Sequence, residues 1–171
     1  MLVHETVVDS ERDHRLEKLE RLRERGIDPY PVGFRRDHTV ASVRERFAGL
    51  AADAQTGEPV RVAGRLMLVR RHGGLVFATL ADQTGTLQLL AARDEFGADA
   101  FADLEHLDRG DWVGAAGTVM ATHTGELTLE VSEVTLLSKA LRALPDKHAE
   151  RCGRDNNECQ TSVATKQVWS V

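Results

Sequence analysis

Two hydrophobic periods divide this chain. Near its start, Leu16, Leu19 and Leu22 recur at three-residue steps among Glu, Arg and Lys, an apolar stripe on one helix. Ser10 with Asp13 predicts that helix's N-cap and acidic first turn. Gly26 is placed as its C′ residue, and Pro29 prevents continuation. The alternating charges of KLERLRER read as a solvated helix face. The loop IDPYPVGFRRDH is turn-rich, with Tyr30 and Phe34 as its anchors. Thr39 is positioned to cap a second helix, on which Val40, Val43, Phe47 and Leu50 form one side. Ala51 to Gly57 reads as a linker.

Beyond it the period falls to two, the signature of half-buried strands. A first strand starts near Pro59, with Val60 and Val62 alternating and Gly64 permitting the bend or bulge of a barrel corner. His72-Gly73-Gly74 is a short hairpin turn. Val76, Ala78 and Leu80 then alternate with Phe77, Thr79 and Ala81. Asp82-Gln83-Thr84-Gly85 turns the chain again, with Gly85 free to take a positive φ. Leu87 and Leu89 alternate with Gln88 and Leu90. Asp94 to Leu107 predicts a short helix carrying Phe96, Phe101 and Leu104. Asp108-Arg109-Gly110-Asp111 is a turn. In WVGAAGTVMAT, two glycines and small residues leave room for close approach of another segment. His123-Thr124-Gly125 turns into a last strand, with Leu127, Leu129 and Val131 on one side and Glu126, Thr128 and Glu130 on the other. Three strands, a helix and two strands describe a mainly β chain: a five-stranded Greek-key OB-fold barrel preceded by two N-terminal helices.

Strand parity gathers a candidate site on the second and third strands. If Ala81 pairs with Thr86, Thr79 lies opposite Gln88, and Phe77 shares its face with Gln88. A two-residue loop at Gly73-Gly74 puts Arg70 on that face as well; a three-residue loop would flip it. A cation, an aromatic and a planar amide suit an unstacked base. The alternative is an ordinary solvated sheet face with one exposed aromatic. In OB barrels the face of strands two and three is the usual nucleic-acid surface, which favours base binding.

Composition narrows the picture. At 171 residues the chain fits one domain with appendages. No apolar run is long enough to span a bilayer, and the polar, acidic MLVHETVVDSERD lacks the form of a signal peptide. Cys152 and Cys159 lie in a polar tail at no standard zinc spacing, and the seven histidines are scattered. The expectation is a reduced, cytoplasmic protein without a metal and without a membrane partner. A net charge of −5 argues against bulk phosphate attraction and predicts that a base-reading site alone would bind weakly.

Several segments go further. GIDPYP, FRRDH, VAGRLM, FATLADQTGTLQL, LDRGDWVGAAGTVMATHTGELTL and LLSKALRALPDKH resemble the N-terminal region of bacterial class II lysyl-tRNA synthetases, from about Leu16 to His148. Aspartyl and asparaginyl relatives share the barrel and the Phe…Gln spacing. The helix pair, the TGEL turn and the LLSKALR…LPDK exit favour the lysyl type. The resemblance implies an anticodon-binding domain whose partner is tRNA with a lysine anticodon, which carries uracil at its second and third positions. It assigns Phe77 to stacking on a uracil, Gln88 to hydrogen bonding on its edge, and Arg70 to the anticodon nucleotides. Glu126, otherwise a solvated turn carboxylate, is assigned to base reading. A carboxylate accepts the uracil N3–H and faces the cytosine N3 lone pair unfavourably.

The resemblance stops near Ala149. In AERCGRDNNECQTSVATKQVWSV there is no class II signature, and no residue can be assigned to lysine or ATP. The expectation is therefore no cofactor in this chain, with ATP and Mg belonging to a catalytic domain that is not here, and no lysyl-adenylate formation by the chain alone. The reading divides the sequence into a helical extension over 1–57, an OB-fold anticodon-binding domain over 58–145 and a divergent, disordered tail over 146–171, in which Trp169 has no assigned role. Two alternatives stand beside tRNA anticodon binding. One is a general single-stranded nucleic-acid binder. The other is a non-catalytic fragment that associates with a full-length synthetase subunit.

Overall fold

The computed structural model of the chain describes residues 3–144. The readings of Cys152, Cys159, Trp169 and the 146–171 tail lie outside the described residues. Two helices, α1 (Val3–Glu24) and α2 (Val40–Arg46), come first. The strands β1 (Gln55–His72), β2 (Leu75–Asp82), β3 (Gly85–Ala92), β4 (Trp112–Ala121) and β5 (Leu127–Ser138) then close a barrel in the order β1-β2-β3-β5-β4. This is the OB-type arrangement that the strand order predicts. Each strand gives its inward positions to one core. Val60, Val62, Leu66, Leu80, Leu87, Leu89, Val113, Val119, Leu129 and Val131 are all buried. At about 1.5–3 kcal/mol for each fully buried aliphatic side chain, this core is the main force closing the barrel.

β1 is one long strand that serves both edges. Its first half pairs with β4, Val60 opposite Gly117 and Arg65 opposite Trp112. Its second half pairs with β2, starting at Arg65 opposite Ala81 and running to His72 opposite Leu75. The change of partner falls at Gly64–Arg65, with a bulge between Leu66 and Leu68, so the predicted corner is real. The strand begins at Gln55, opposite Met120, so the end of the presumed linker belongs to the sheet. In β4 the small residues do admit close neighbours. A Cβ at Gly117 would lie 1.9 Å from the Glu130 carbonyl oxygen, and one at Gly114 would meet the Phe34 ring.

The helices depart from expectation at several points, α2 among them, since it ends at Arg46 and leaves Leu50 beyond it. Ser10 lies inside α1 rather than capping it, because nothing between Val3 and Ser10 is a Gly or Pro that would stop the helix earlier. The helix ends as predicted: Gly26 takes φ +73°, its N–H bonds the Arg23 carbonyl and the Ile27 N–H bonds that of Leu22, a Schellman closure. Between β3 and β4, the single predicted helix is two, α3 (Arg93–Phe96) and α4 (Ala98–Asp103), separated at Gly97 (φ +81°) and followed by a 3₁₀ turn over Leu104–His106. Phe101 and Leu104 still enter the core.

Nor is α1 a purely solvated face. Arg15 and Lys18 lie on the same side as Leu19 and Leu22 and dock on the barrel. Arg15 Nη1 donates to the carbonyls of Arg109 (3.1 Å), Ala140 (3.0 Å) and Arg142 (3.4 Å). Lys18 Nζ lies 2.5 Å from Asp108 Oδ1. Behind them, fully buried Lys139 places Nζ 2.7 Å from the His106 carbonyl, Asp108 Oδ2 and Asp111 Oδ2. Burial alone would raise the Asp108 carboxyl, but hydrogen bonds and charge from Lys139 and Lys18 hold it below its ordinary value.

Candidate nucleic-acid interface

The β1–β2 loop is two residues, so His72 pairs with Leu75 and Arg70 stands directly opposite Phe77. Across the next hairpin, Ala81 pairs with Thr86, Thr79 with Gln88 and Phe77 with Leu90. The parity argument therefore holds: Arg70, Phe77 and Gln88 share the outer face of β1-β2-β3. Arg70 is exposed, while Phe77 and Gln88 are half-buried. Phe77 has no place in the core cluster, which takes Val76 and Leu80 from the same strand.

Asp82 sets the turn that holds β2 against β3. Its Oδ1 accepts from the Thr84 N–H (2.7 Å), the Thr84 hydroxyl (2.6 Å) and the Gly85 N–H (3.0 Å), and its Oδ2 accepts from the Val40 N–H (2.9 Å). Burial pushes this carboxyl up, but those four donors outweigh it and leave it below its ordinary value. The turn thus doubles as a cap for α2. Thr84 Oγ1 also accepts from the Ala41 N–H, and Thr39 and Ser42 complete a capping box. Gly85 itself sits at φ 159°, close to extended, so side-chain hydrogen bonds rather than a left-handed residue close this hairpin.

Fixing α2 there aims Arg44 along the sheet. Its Nε donates to the Thr86 carbonyl (2.7 Å), and its Nη2 lies 3.5 Å from Glu126 Oε1. Both side chains are about half exposed, so the pair is worth only about 0.2–1 kcal/mol and can be exchanged for a ligand. Arg44 was not singled out in the sequence, where it reads as one more helix charge.

Glu126 comes from the β4–β5 turn, just ahead of β5 rather than within it. Its carbonyl accepts from the Thr122 N–H (3.0 Å) and its N–H donates to Thr122 Oγ1 (3.1 Å). β5 returns beside β3 in parallel, through Gln88–Thr128, Leu89–Leu129 and Leu90–Glu130. This seam brings Glu126 to the edge of the Arg70–Phe77–Gln88 face. Three strand spacings of about 4.8 Å put about 14 Å between β1 and β5 across that face. Thr128, placed by alternation on the solvated side, is fully buried. It is flanked by Gln88 on β3 and Met120 on β4, and covered from both sides. Gln88 Nε2 donates to its hydroxyl (3.0 Å). Glu130, opposite Leu90 and Thr118, is half-buried. Burial and then the charge of Glu95 raise its carboxyl above the ordinary value.

Known proteins agree with this fold. Residues 60–137 match the OB-fold nucleic acid binding domain family. The chain is 45% identical over 133 residues to the lysine–tRNA ligase of Moorella thermoacetica, covering 78% of this chain and 26% of that protein. It is 42% identical over 136 residues to the ligase of Enterococcus faecalis (78% and 27%) and 44% identical over 141 residues to that of Thermosynechococcus vestitus (80% and 28%). It thus spans about a quarter of the length of these relatives. Among the described residues, no helix is long and apolar enough to cross a membrane. The chain carries the anticodon-binding OB-fold domain of the lysyl-tRNA synthetase family.

Proposed function

We propose that this chain binds the anticodon loop of a lysine tRNA and reads its uracils, in support of lysyl-tRNA aminoacylation during translation in the cytoplasm. The observation that carries the reading is the sharing of one outer face by Arg70, Phe77 and Gln88, with the Glu126 carboxylate at its edge. Phe77 offers a ring for a base to stack on. Gln88 and Glu126 offer acceptors to the N3–H that uracil has and cytosine lacks. Arg70 and Arg44 supply positive charge in a chain of net charge −5. Grip on phosphate is therefore local and weak, and low salt favours binding. The barrel is the RNA-binding unit of this reading, with β1 beginning at Gln55, ahead of the expected division at 57/58.

Fluorescence anisotropy with a lysine anticodon stem-loop, at low salt, tests it. The expected result is tighter binding to the uracil loop than to the same loop with cytosines substituted. Equal binding to both would turn the reading into general single-strand recognition. Co-elution with a full-length synthetase in the absence of RNA, without loop binding, would point instead to a subunit-association role.

A further inference from the structure

The site holds a short hydrogen-bond relay. Thr128 Oγ1 lies 3.0 Å from the Glu126 carbonyl oxygen and 3.0 Å from Gln88 Nε2. A carbonyl can only accept, so the one hydroxyl hydrogen of Thr128 is committed to Glu126. What Oγ1 then turns toward Gln88 is a lone pair. Only the amide nitrogen can satisfy it, and the two ends of the Gln88 amide cease to be interchangeable. With Nε2 held against β5, Oε1 is directed away from it, and among the described residues it has no hydrogen-bond partner. Thr128 is itself fully buried, and the Glu126 carbonyl is anchored by the Thr122 N–H, so the relay has a rigid base.

We propose that Thr128 is a positioning residue for base recognition: by locking the Gln88 amide with its oxygen outward, it makes Gln88 an acceptor that takes the N3–H of uracil and repels the N3 lone pair of cytosine. This rests on the reading above that Gln88 addresses a base edge. A glutamine without the lock discriminates poorly. It turns its amide over and offers a hydrogen to cytosine N3 at little cost. The share of selectivity that Gln88 carries then resides in a buried threonine.

The test uses the full chain in two parts. In the first, the exchange of the Gln88 side-chain amide hydrogens is followed by NMR without RNA. One of the two is expected to be protected in the unaltered chain and in Thr128→Ser, and both are expected to exchange freely in Thr128→Val. In the second, uracil and cytosine stem-loops are compared by anisotropy. Thr128→Val is expected to lower the uracil-over-cytosine ratio about five- to tenfold, mainly through tighter cytosine binding, while Thr128→Ser restores it to within about twofold. Two Gln88 hydrogens that exchange alike in the unaltered chain overturn the proposal, whether or not the valine variant folds. So does a folded Thr128→Val that keeps the unaltered ratio. An unaltered chain without uracil preference overturns the base-reading itself and the role of the relay with it. That failure is distinguishable because it appears before any substitution is made.

Discussion

Lys139 and Arg70 are both cations beside strands of the same barrel, and they are held in opposite ways. The three ammonium hydrogens of Lys139 meet three acceptors at 2.7 Å in complete burial. Its partner Asp111 also accepts the N–H groups of Ala140 and Asp108, both at 2.8 Å. Arg70 is exposed, and Glu126 at the other edge of its face meets Arg44 only at 3.5 Å in solvent. A buried polar group without a partner costs too much to keep, so the Lys139 cluster has no valence left for a ligand. The outer face keeps its hydrogen-bonding capacity because water satisfies it until something better arrives. Charge alone does not mark a site; unspent charge does.

The largest effect expected from breaking this contrast is Lys139→Met. Asp111 would be left buried and unpaired, at about 3–5 kcal/mol of stability by chemical denaturation. Any folded fraction should keep its preference among RNA loops. Phe77→Ala should do the reverse, losing about 1–3 kcal/mol of loop affinity whichever base is present while unfolding like the unaltered chain. Glu126→Gln should narrow the uracil–cytosine gap by about 1 kcal/mol or more while weakening overall binding less, as measured by paired titrations. Arg70→Ala should weaken all loops modestly and reduce the slope of log affinity against log salt by about one, if it meets phosphate.

The smallest effect concerns pH. The Glu130 carboxyl is raised in the folded chain, so the folded state binds its proton more tightly than the unfolded state does. Stability from this group is present below the unfolded value near 4.5 and is lost as pH rises through the folded value. Glu130→Gln should therefore raise the melting temperature slightly at pH 7 and leave it unchanged well below pH 4.5. Asp108 has the opposite sign. Its depressed carboxyl stabilises above the unfolded value of 3.8, and that stability is lost as pH falls through the still lower folded value. A melting curve measured across pH separates the two.

The outer face was legible because strand parity is local. Once Gly73-Gly74 and Asp82-Gly85 were read as turns, the positions of Arg70, Phe77 and Gln88 followed from counting. Thr128 was not legible. Its parity was right, but its burial comes from β3 and β4 closing on both sides of it, and no local period reports a neighbour distant in sequence. Arg15 and Lys18 failed to register for the same reason. On a helix rich in mixed charge, a docked cation looks like a solvated one until the carbonyls of Arg109 and Ala140 are in place. Spacing places Arg15, Lys18, Leu19 and Leu22 on one helix face but does not report what that face meets. Gly97 could also have been read as a break, since glycine inside a short helix is a poor choice unless it ends one.

The join between β3 and β5 is made by three residue pairs, against longer ladders at the other strand junctions. It is the zip of the barrel, and the candidate RNA site is built across its teeth. Parting β3 from β5 separates Gln88 from Thr128 and Glu126, so the open form has no site to offer. An anticodon loop lying over the zip would bind the closed form alone and draw the population toward it by mass action. RNA would then act as a fastener, and the amides along the zip would exchange more slowly the more of it is bound.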